Sequence, residues 1–217
     1  MQPLTEQLIE QGLAGRILTE RQLDRVIGGS PAKRYGLVNR AMQSAELIRL
    51  QRGLYVLADR FRHAPPEPFA LAQALVPGSY VSFETALAHQ GWIPEAVRVT
   101  ASVTPGRKSR SIDHPRFGTF TYSPLATNRG HFLELVERRQ IMQQTMLLAE
   151  PIRALMDLVC LRKMKWQGMN LLLEGLRIDG ELLHGTTAQQ LRTLATVYKQ
   201  ERVGHFLRSL RHELGRD

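Results

Sequence analysis

Between residues 30 and 52 the chain places Lys33, Arg34, Tyr35, Asn39, Arg40 and Gln43, then Arg49 and Arg52. These are the side-chain types that grip and read a nucleic-acid duplex. A guanidinium donates two parallel hydrogen bonds to guanine, and an Asn or Gln amide pairs with adenine; each good pair contributes roughly 1–3 kcal/mol of discrimination. Cations outside the base edges meet phosphates, which position a protein without specifying a sequence. From Gly28 to Arg62 the cations Lys33, Arg34, Arg40, Arg49, Arg52, Arg60 and Arg62 are opposed only by Glu46 and Asp59. Such a set acts together only if rigid elements hold it outward.

The spacing supplies those elements. Leu4, Leu8, Ile9 and Leu13 recur at helical period and predict a first helix ending near Gly12 to Gly15. Thr19-Glu20-Arg21-Gln22 is a capping box, opening a second helix that buries Leu23, Val26 and Ile27 and stops at Gly28-Gly29. Ser30 caps a third helix with Pro31 at its first position, where the missing N–H is not needed. Its inner face is Leu37, Val38, Ala41 and Met42, which leaves Lys33, Arg34, Asn39, Arg40 and Gln43 outside. At that helix start Ser30 also has a hydroxyl to offer a phosphate. Leu47–Leu50 and Leu54–Leu57 are short apolar runs joined by Gln51-Arg52-Gly53, a connection whose glycine suits a bulged hairpin. Three helices followed by this hairpin predict a winged helix-turn-helix over residues 1–62, with the third helix aimed at a major groove and Arg49 and Arg52 on the wing meeting phosphates.

The bulk composition agrees with a phosphate-bearing partner. The chain has 217 residues with 29 Lys and Arg against 20 Asp and Glu, a net charge of +9. Its one cysteine, Cys160, excludes an internal disulfide framework and a thiolate zinc cluster, and its apolar surroundings mark it as a small buried hydrophobe. No apolar run approaches the ~20 residues that span a bilayer. Glu6 and Glu10 interrupt what a secretory leader would need as its apolar core, so the expected compartment is the cytoplasm, with no membrane partner.

His63-Ala64-Pro65-Pro66-Glu67-Pro68 reads as a stiff Pro-rich linker and the expected domain boundary. The second domain, 69–217, is expected to be α/β with a small sheet and a helical C-terminal part, giving an α+β chain. Its expected strands are Tyr80–Ser82, Val97–Val103, Phe117–Ser123 and Thr145–Leu148, with a basic loop from Pro105 to Arg116. Arg107, Lys108, Arg110 and Arg116 in that loop form a possible second basic patch. Pro151 starts a helix burying Ile152, Leu155, Met156 and Val159, and a capping box at Thr187–Gln190 precedes two further amphipathic helices.

The hairpin Leu47-Ile48-Arg49-Leu50-Gln51-Arg52-Gly53-Leu54-Tyr55-Val56-Leu57 resembles the wing of the AbiEi antitoxins. Tyr80-Val81-Ser82-Phe83-Glu84-Thr85-Ala86-Leu87-Ala88-His89-Gln90-Gly91 is similar to the strand-to-helix signature that opens the C-terminal domain of that family. Val99–Val103 and Ala149–Leu158 resemble its later blocks. One departure is Ser44-Ala45, where many relatives place a glycine before the first wing strand. The resemblance implies a cytoplasmic repressor of type IV toxin–antitoxin operons in phage defence. Its winged helix binds double-stranded operator DNA, and its C-terminal domain counteracts a nucleotidyltransferase toxin, with or without direct contact. It implies no cofactor and no catalytic residue.

The histidines show no His-Glu-x-x-His spacing, and neither a Gly-rich phosphate loop nor a Gly-x-Ser-x-Gly elbow occurs. Nuclease chemistry calls for metal-binding carboxylates on adjacent strands. Glu134, Glu137 and Glu150 instead fall in segments that read as helical. The expectation is a non-enzyme without a metal. A stand-alone winged-helix regulator and a winged-helix-targeted nuclease-like protein are the alternatives.

Overall fold

The computed structural model describes residues 1–141 and 144–216. It is an α+β protein with two sheets, and it divides into two compact units: Met1–Pro77 with Gln140–Thr145, and Gly78–Arg139 with Met146–Asp217. The division falls at Pro77, beyond the Pro-rich segment where the sequence places it, because the helix Pro68–Leu75 belongs with the first unit. Among the described residues no helix is long and apolar enough to cross a membrane.

The first unit runs α1 (Pro3–Glu10), β1 (Leu18–Thr19), α2 (Glu20–Ile27), α3 (Pro31–Gln43), β2 (Leu47–Gln51), β3 (Leu54–Leu57), a 3-10 turn (Asp59–Phe61) and α4 (Pro68–Leu75). Local chemistry sets each boundary. In the Thr19 capping box the hydroxyl accepts the Gln22 N–H at 3.3 Å, and the Gln22 amide oxygen accepts the Thr19 N–H at 2.8 Å. Gly28 and Gly29 leave α2 with φ of +60° and +71°, values that L side chains rarely adopt. Leu4, Leu8, Leu18, Leu23, Ile27, Ala41, Leu47 and Leu57 make the core, with Leu37, Val38 and Met42 of α3 packed against it. Each buried leucine stabilises the unit by about 1.5–3 kcal/mol relative to exposure.

β2 and β3 pair antiparallel, with a bulge between Arg49 and Gln51 and Gly53 at φ +76° in the turn. The two-residue β1, unseen in the sequence, adds a third strand on the far side of β3.

The second unit is built on a six-stranded mixed sheet. Its elements are β4 (Tyr80–Val81), α5 (Phe83–His89), β5 (Val99–Val103), β6 (Arg110–His114), β7 (Gly118–Ser123), β8 (Val136–Ile141), β9 (Gln144–Ala149), α6 (Pro151–Leu161), a π-helical turn (Leu171–Gly175), α7 (Gly180–His184), α8 (Ala188–Ala195) and α9 (Glu201–Glu213), with the last two residues of β8 and the first two of β9 grouped with the first unit. The strand order is β6-β7-β5-β4-β9-β8. Two of these strands correct the sequence reading. β6 lies inside the segment expected to be a basic loop, and β8 carries Glu137 on a strand where a helix was expected. Glu150 is the N-cap of α6 rather than part of it. Ile152, Leu155, Met156 and Val159 are buried as their spacing predicts, and so is Trp92. The buried Cys160 thiol is pushed up to about 11, first by loss of solvent and then by Asp157, which keeps it protonated and unreactive near neutrality.

Candidate nucleic-acid interface

α3 has thirteen residues, a rod of roughly 20 Å, and none of them is acidic. Its N-terminus is fixed by Ser30, whose hydroxyl accepts the Lys33 N–H at 3.3 Å while remaining exposed. The hydroxyl is thus a cap, and its exposure leaves room for an anion beside the first turn. Ala41 is fully buried beneath the helix, and Leu37, Val38 and Met42 flank it, which fixes the opposite face in solvent. That outer face carries Lys33, Tyr35, Arg40 and Gln43, all exposed, with Asn39 half-buried at its margin. Tyr35 is 72% exposed, unusual for a large aromatic ring and suited to stacking or groove contact.

Arg34 stands apart from its neighbours. Its Nε lies 2.9 Å from the Asp24 carboxylate, and its Nη1 donates to the Gly29 carbonyl. The sequence groups Arg34 with the outward-facing cations, but the structure turns it back to join α3 to α2 and to the glycine turn between them. Its charge is compensated where that of Arg40 stands on a face without carboxylates.

At the other end, α3 closes on Ala45 with φ +51°. The Glu46 N–H donates to the Ala41 carbonyl at 2.9 Å and the Ala45 N–H to the Met42 carbonyl at 3.0 Å, the paired bonds of a Schellman closure. The helix therefore ends in the geometry a glycine would give, with an alanine held in the left-handed region. The Glu46 side chain, 7% exposed, then accepts the Gln2 N–H at 2.8 Å. This bond holds the Glu46 carboxyl below its ordinary value. Beyond it, Arg49 and Arg52 are exposed on the hairpin, Arg49 opposite Tyr55 and Arg52 in the turn itself.

The second basic patch is not one cluster. Arg107, Lys108, Arg110 and Arg116 are all exposed, but the first three gather where β6 begins and Arg116 lies past its end. The strand between them spans roughly 13 Å.

Sequence reasoning missed a buried ionic cluster in the second unit. Arg153 and Asp157 of α6 are each completely buried and meet at 3.0 Å. Asp157 Oδ1 also accepts the Tyr198 hydroxyl at 2.7 Å, and Oδ2 accepts Ser82 at 2.7 Å and Tyr80 at 3.0 Å. Arg153 donates further to the Tyr80 hydroxyl at 2.7 Å and to the carbonyls of Glu134, Phe132 and His131 at 3.1, 3.4 and 3.5 Å. Burial alone would lower the basicity of Arg153, but the adjacent Asp157 outweighs it and holds the guanidinium charged. Burial and the same carboxylate push the Tyr80 and Tyr198 hydroxyls upward, so both remain donors. A cluster so enclosed and so fully paired joins segments; it has no face for a ligand. The readable signal was an i,i+4 Arg–Asp pair on a helix that is otherwise apolar all round.

Among the described residues no group of three or more His, Cys, Asp or Glu side chains is arranged to hold a metal ion. No protein-family model matches the chain, and no curated protein sequence matches it.

Proposed function

We propose that the chain is a DNA-binding repressor whose first 62 residues act as a winged helix, α3 entering the major groove and the β2–β3 hairpin lying on the adjacent backbone. The observation that carries this reading is the outer face of α3. It presents Lys33, Tyr35, Arg40 and Gln43 to solvent, contains no carboxylate, and is followed directly by the exposed Arg49 and Arg52. A major groove about 12 Å wide admits one helix with base-reading side chains of this kind. Arg34, paired with Asp24, acts by fixing the helix start rather than by touching bases.

The resemblance of the hairpin and of the Tyr80–Gly91 segment to AbiEi antitoxins extends the proposal. In that reading the chain represses its own toxin–antitoxin operon in the cytoplasm and counteracts a nucleotidyltransferase toxin, with residues 69–217 serving the second task. The protein itself catalyses nothing.

A gel shift with the chain's own promoter is the decisive experiment. Arg40→Ala weakens binding to that promoter more than ten-fold, about 1.4 kcal/mol, and relaxes its sequence preference. Arg52→Ala weakens all duplexes alike and lowers the salt slope by about one unit. Equal loss on every sequence from Arg40→Ala reduces α3 to backbone docking, and no shift in dilute buffer removes the DNA reading. Co-expression with a neighbouring nucleotidyltransferase gene tests the antitoxin half: growth is arrested by the toxin alone and restored with this chain.

A further inference from the structure

β6 closes one side of the six-stranded sheet and pairs with β7 alone. The pairing runs unbroken from Arg110 opposite Tyr122 to His114 opposite Gly118. Alternate residues of β6 therefore turn their N–H and C=O groups away from the sheet. Folded proteins blunt such an edge with a bulge, a covering segment or charge. β6 carries no bulge, and the charge around it is almost all of one sign.

From Ala96 to Leu133 the cations are Arg98, Arg107, Lys108, Arg110, Arg116 and Arg129, and the only carboxylate is Asp113. That carboxylate accepts the Thr119 hydroxyl at 2.7 Å, and it stands out of phase with Arg110 and Ile112, on the other face of the strand. The surplus lies in Arg107 and Lys108, immediately before β6. Both are exposed, and among the described residues neither forms an ion pair. Arg110, whose charge acts on the Tyr122 hydroxyl, is not needed for it.

We infer that the β6 edge receives an acidic, extended segment of another protein as an added strand. An open ladder supplies main-chain hydrogen bonds to such a segment, and its side chains set the choice of partner. Opposite charges across a strand pair stabilise it and like charges destabilise it, so Arg107 and Lys108 select carboxylates. The same rule disfavours a second copy of this chain. Antiparallel pairing centred on Ile112 sets Arg110 opposite His114, and Lys108 opposite Arg116, of that copy. A nucleic-acid duplex would meet the cations but leave the ladder unused. The edge includes none of the α3 or β2–β3 side chains proposed to meet DNA, and the inference stands apart from that reading.

Fluorescence anisotropy of a labelled peptide, Glu-Glu-Val-Thr-Val-Glu-Glu, titrated with the full chain tests the inference. The peptide binds, and its counterpart with Lys in place of every Glu does not. Methylating the peptide's backbone nitrogens at alternate residues abolishes binding in one phase and spares it in the other, because an added strand uses alternate amides only. Replacing both cations, Arg107→Glu with Lys108→Glu, weakens the acidic peptide by at least about ten-fold. Both positions are exposed outside the strands, and an unchanged circular-dichroism melt shows that the variant is folded. Equal binding of both methylated forms reduces the edge to a charged patch and overturns the inference. So does peptide binding untouched by the charge reversal, or no binding at millimolar concentration. If the reversed variant loses duplex binding while the peptide never binds, the patch belongs to nucleic acid instead.

Discussion

Arg40 on α3 and Arg153 on α6 are both helical arginines, yet one lies in solvent and the other is completely buried. Arg153 is surrounded by a carboxylate, a phenol and three backbone carbonyls, so its hydrogen-bonding capacity is spent inside the fold. Arg40 stands on a helix with no acidic residue, and its capacity remains for a partner. The contrast shows that an arginine's task is legible from what pays its desolvation. A buried guanidinium needs a complete set of acceptors and becomes structural; an exposed one on a carboxylate-free face keeps its charge for something outside.

The strongest test removes one member of the buried pair. Asp157→Leu leaves Arg153 charged and enclosed, and the expected loss is about 3–5 kcal/mol, measured as the shift in the urea unfolding curve of the second unit. Adding Arg153→Met to that variant recovers much of the loss, because two apolar residues need no compensation. A small effect from the single substitution would mean that water reaches the cluster, and the contrast with Arg40 would fail.

Arg40→Ala should leave stability within about 0.5 kcal/mol of the parent while weakening promoter binding more than ten-fold. Arg34→Ala should reverse the emphasis. Its pair with Asp24 is partly exposed, so the expected loss of stability is only a few tenths to about 1 kcal/mol, and any loss of binding follows from a loosened helix start. Chemical denaturation and gel shifts on both variants separate the two roles.

The parts of this fold that could be read from sequence are those decided within a few residues. The capping boxes at Thr19 and Thr187, the Ser30-Pro31 start and the Gly53 turn are all present because their signals are local. Within the six-stranded sheet the strands that escaped, β6 (Arg-Ser-Ile-Asp-His) and β8 (Val-Glu-Arg-Arg-Gln-Ile), are the two outermost. An edge strand is paired on one side only and tolerates charge that blunts further pairing. Its sequence therefore lacks the apolar alternation by which a strand is recognised. The outward face of α3 was readable from helical period, and so was the inward side of Arg34, which stands three, four and seven residues before Leu37, Val38 and Ala41; its partner was not, because Asp24 sits on another helix. The partners of Asp157 were hidden for the same reason: Tyr80 and Tyr198 are 77 and 41 residues away.

The exposed face of α3 keeps its arrangement only if the helix is held, and Ala45 sharpens that side of the comparison. An alanine at φ +51° costs about 1–2 kcal/mol relative to a right-handed conformation, a strain glycine does not carry. Ala45→Gly is therefore expected to stabilise the first unit, by less than that amount because glycine also enlarges the entropy of the unfolded chain. A net gain of about 0.5–1 kcal/mol in thermal or urea unfolding is the expected result. A loss would mean that the alanine methyl makes contacts outweighing its backbone strain.

Glu46 gives the smallest expected effect and the one with a defined pH sign. Its carboxylate accepts the Gln2 N–H, and that bond lowers its affinity for protons in the folded chain below the ordinary 4.5. A group whose folded value is depressed stabilises the fold above its unfolded value and loses that contribution as pH falls through the folded value. The first unit should accordingly keep the Glu46 contribution at neutral pH and begin to lose it below about pH 4.5. Glu46→Gln keeps the size of the side chain and an acceptor oxygen but cannot titrate. The difference in stability between parent and variant, followed by urea unfolding at successive pH values, should be constant near neutrality and shrink on acidification. A difference that grows toward low pH would show that Glu46 is stabilised as the acid, and that the end of α3 is anchored by some contact other than its bond to Gln2.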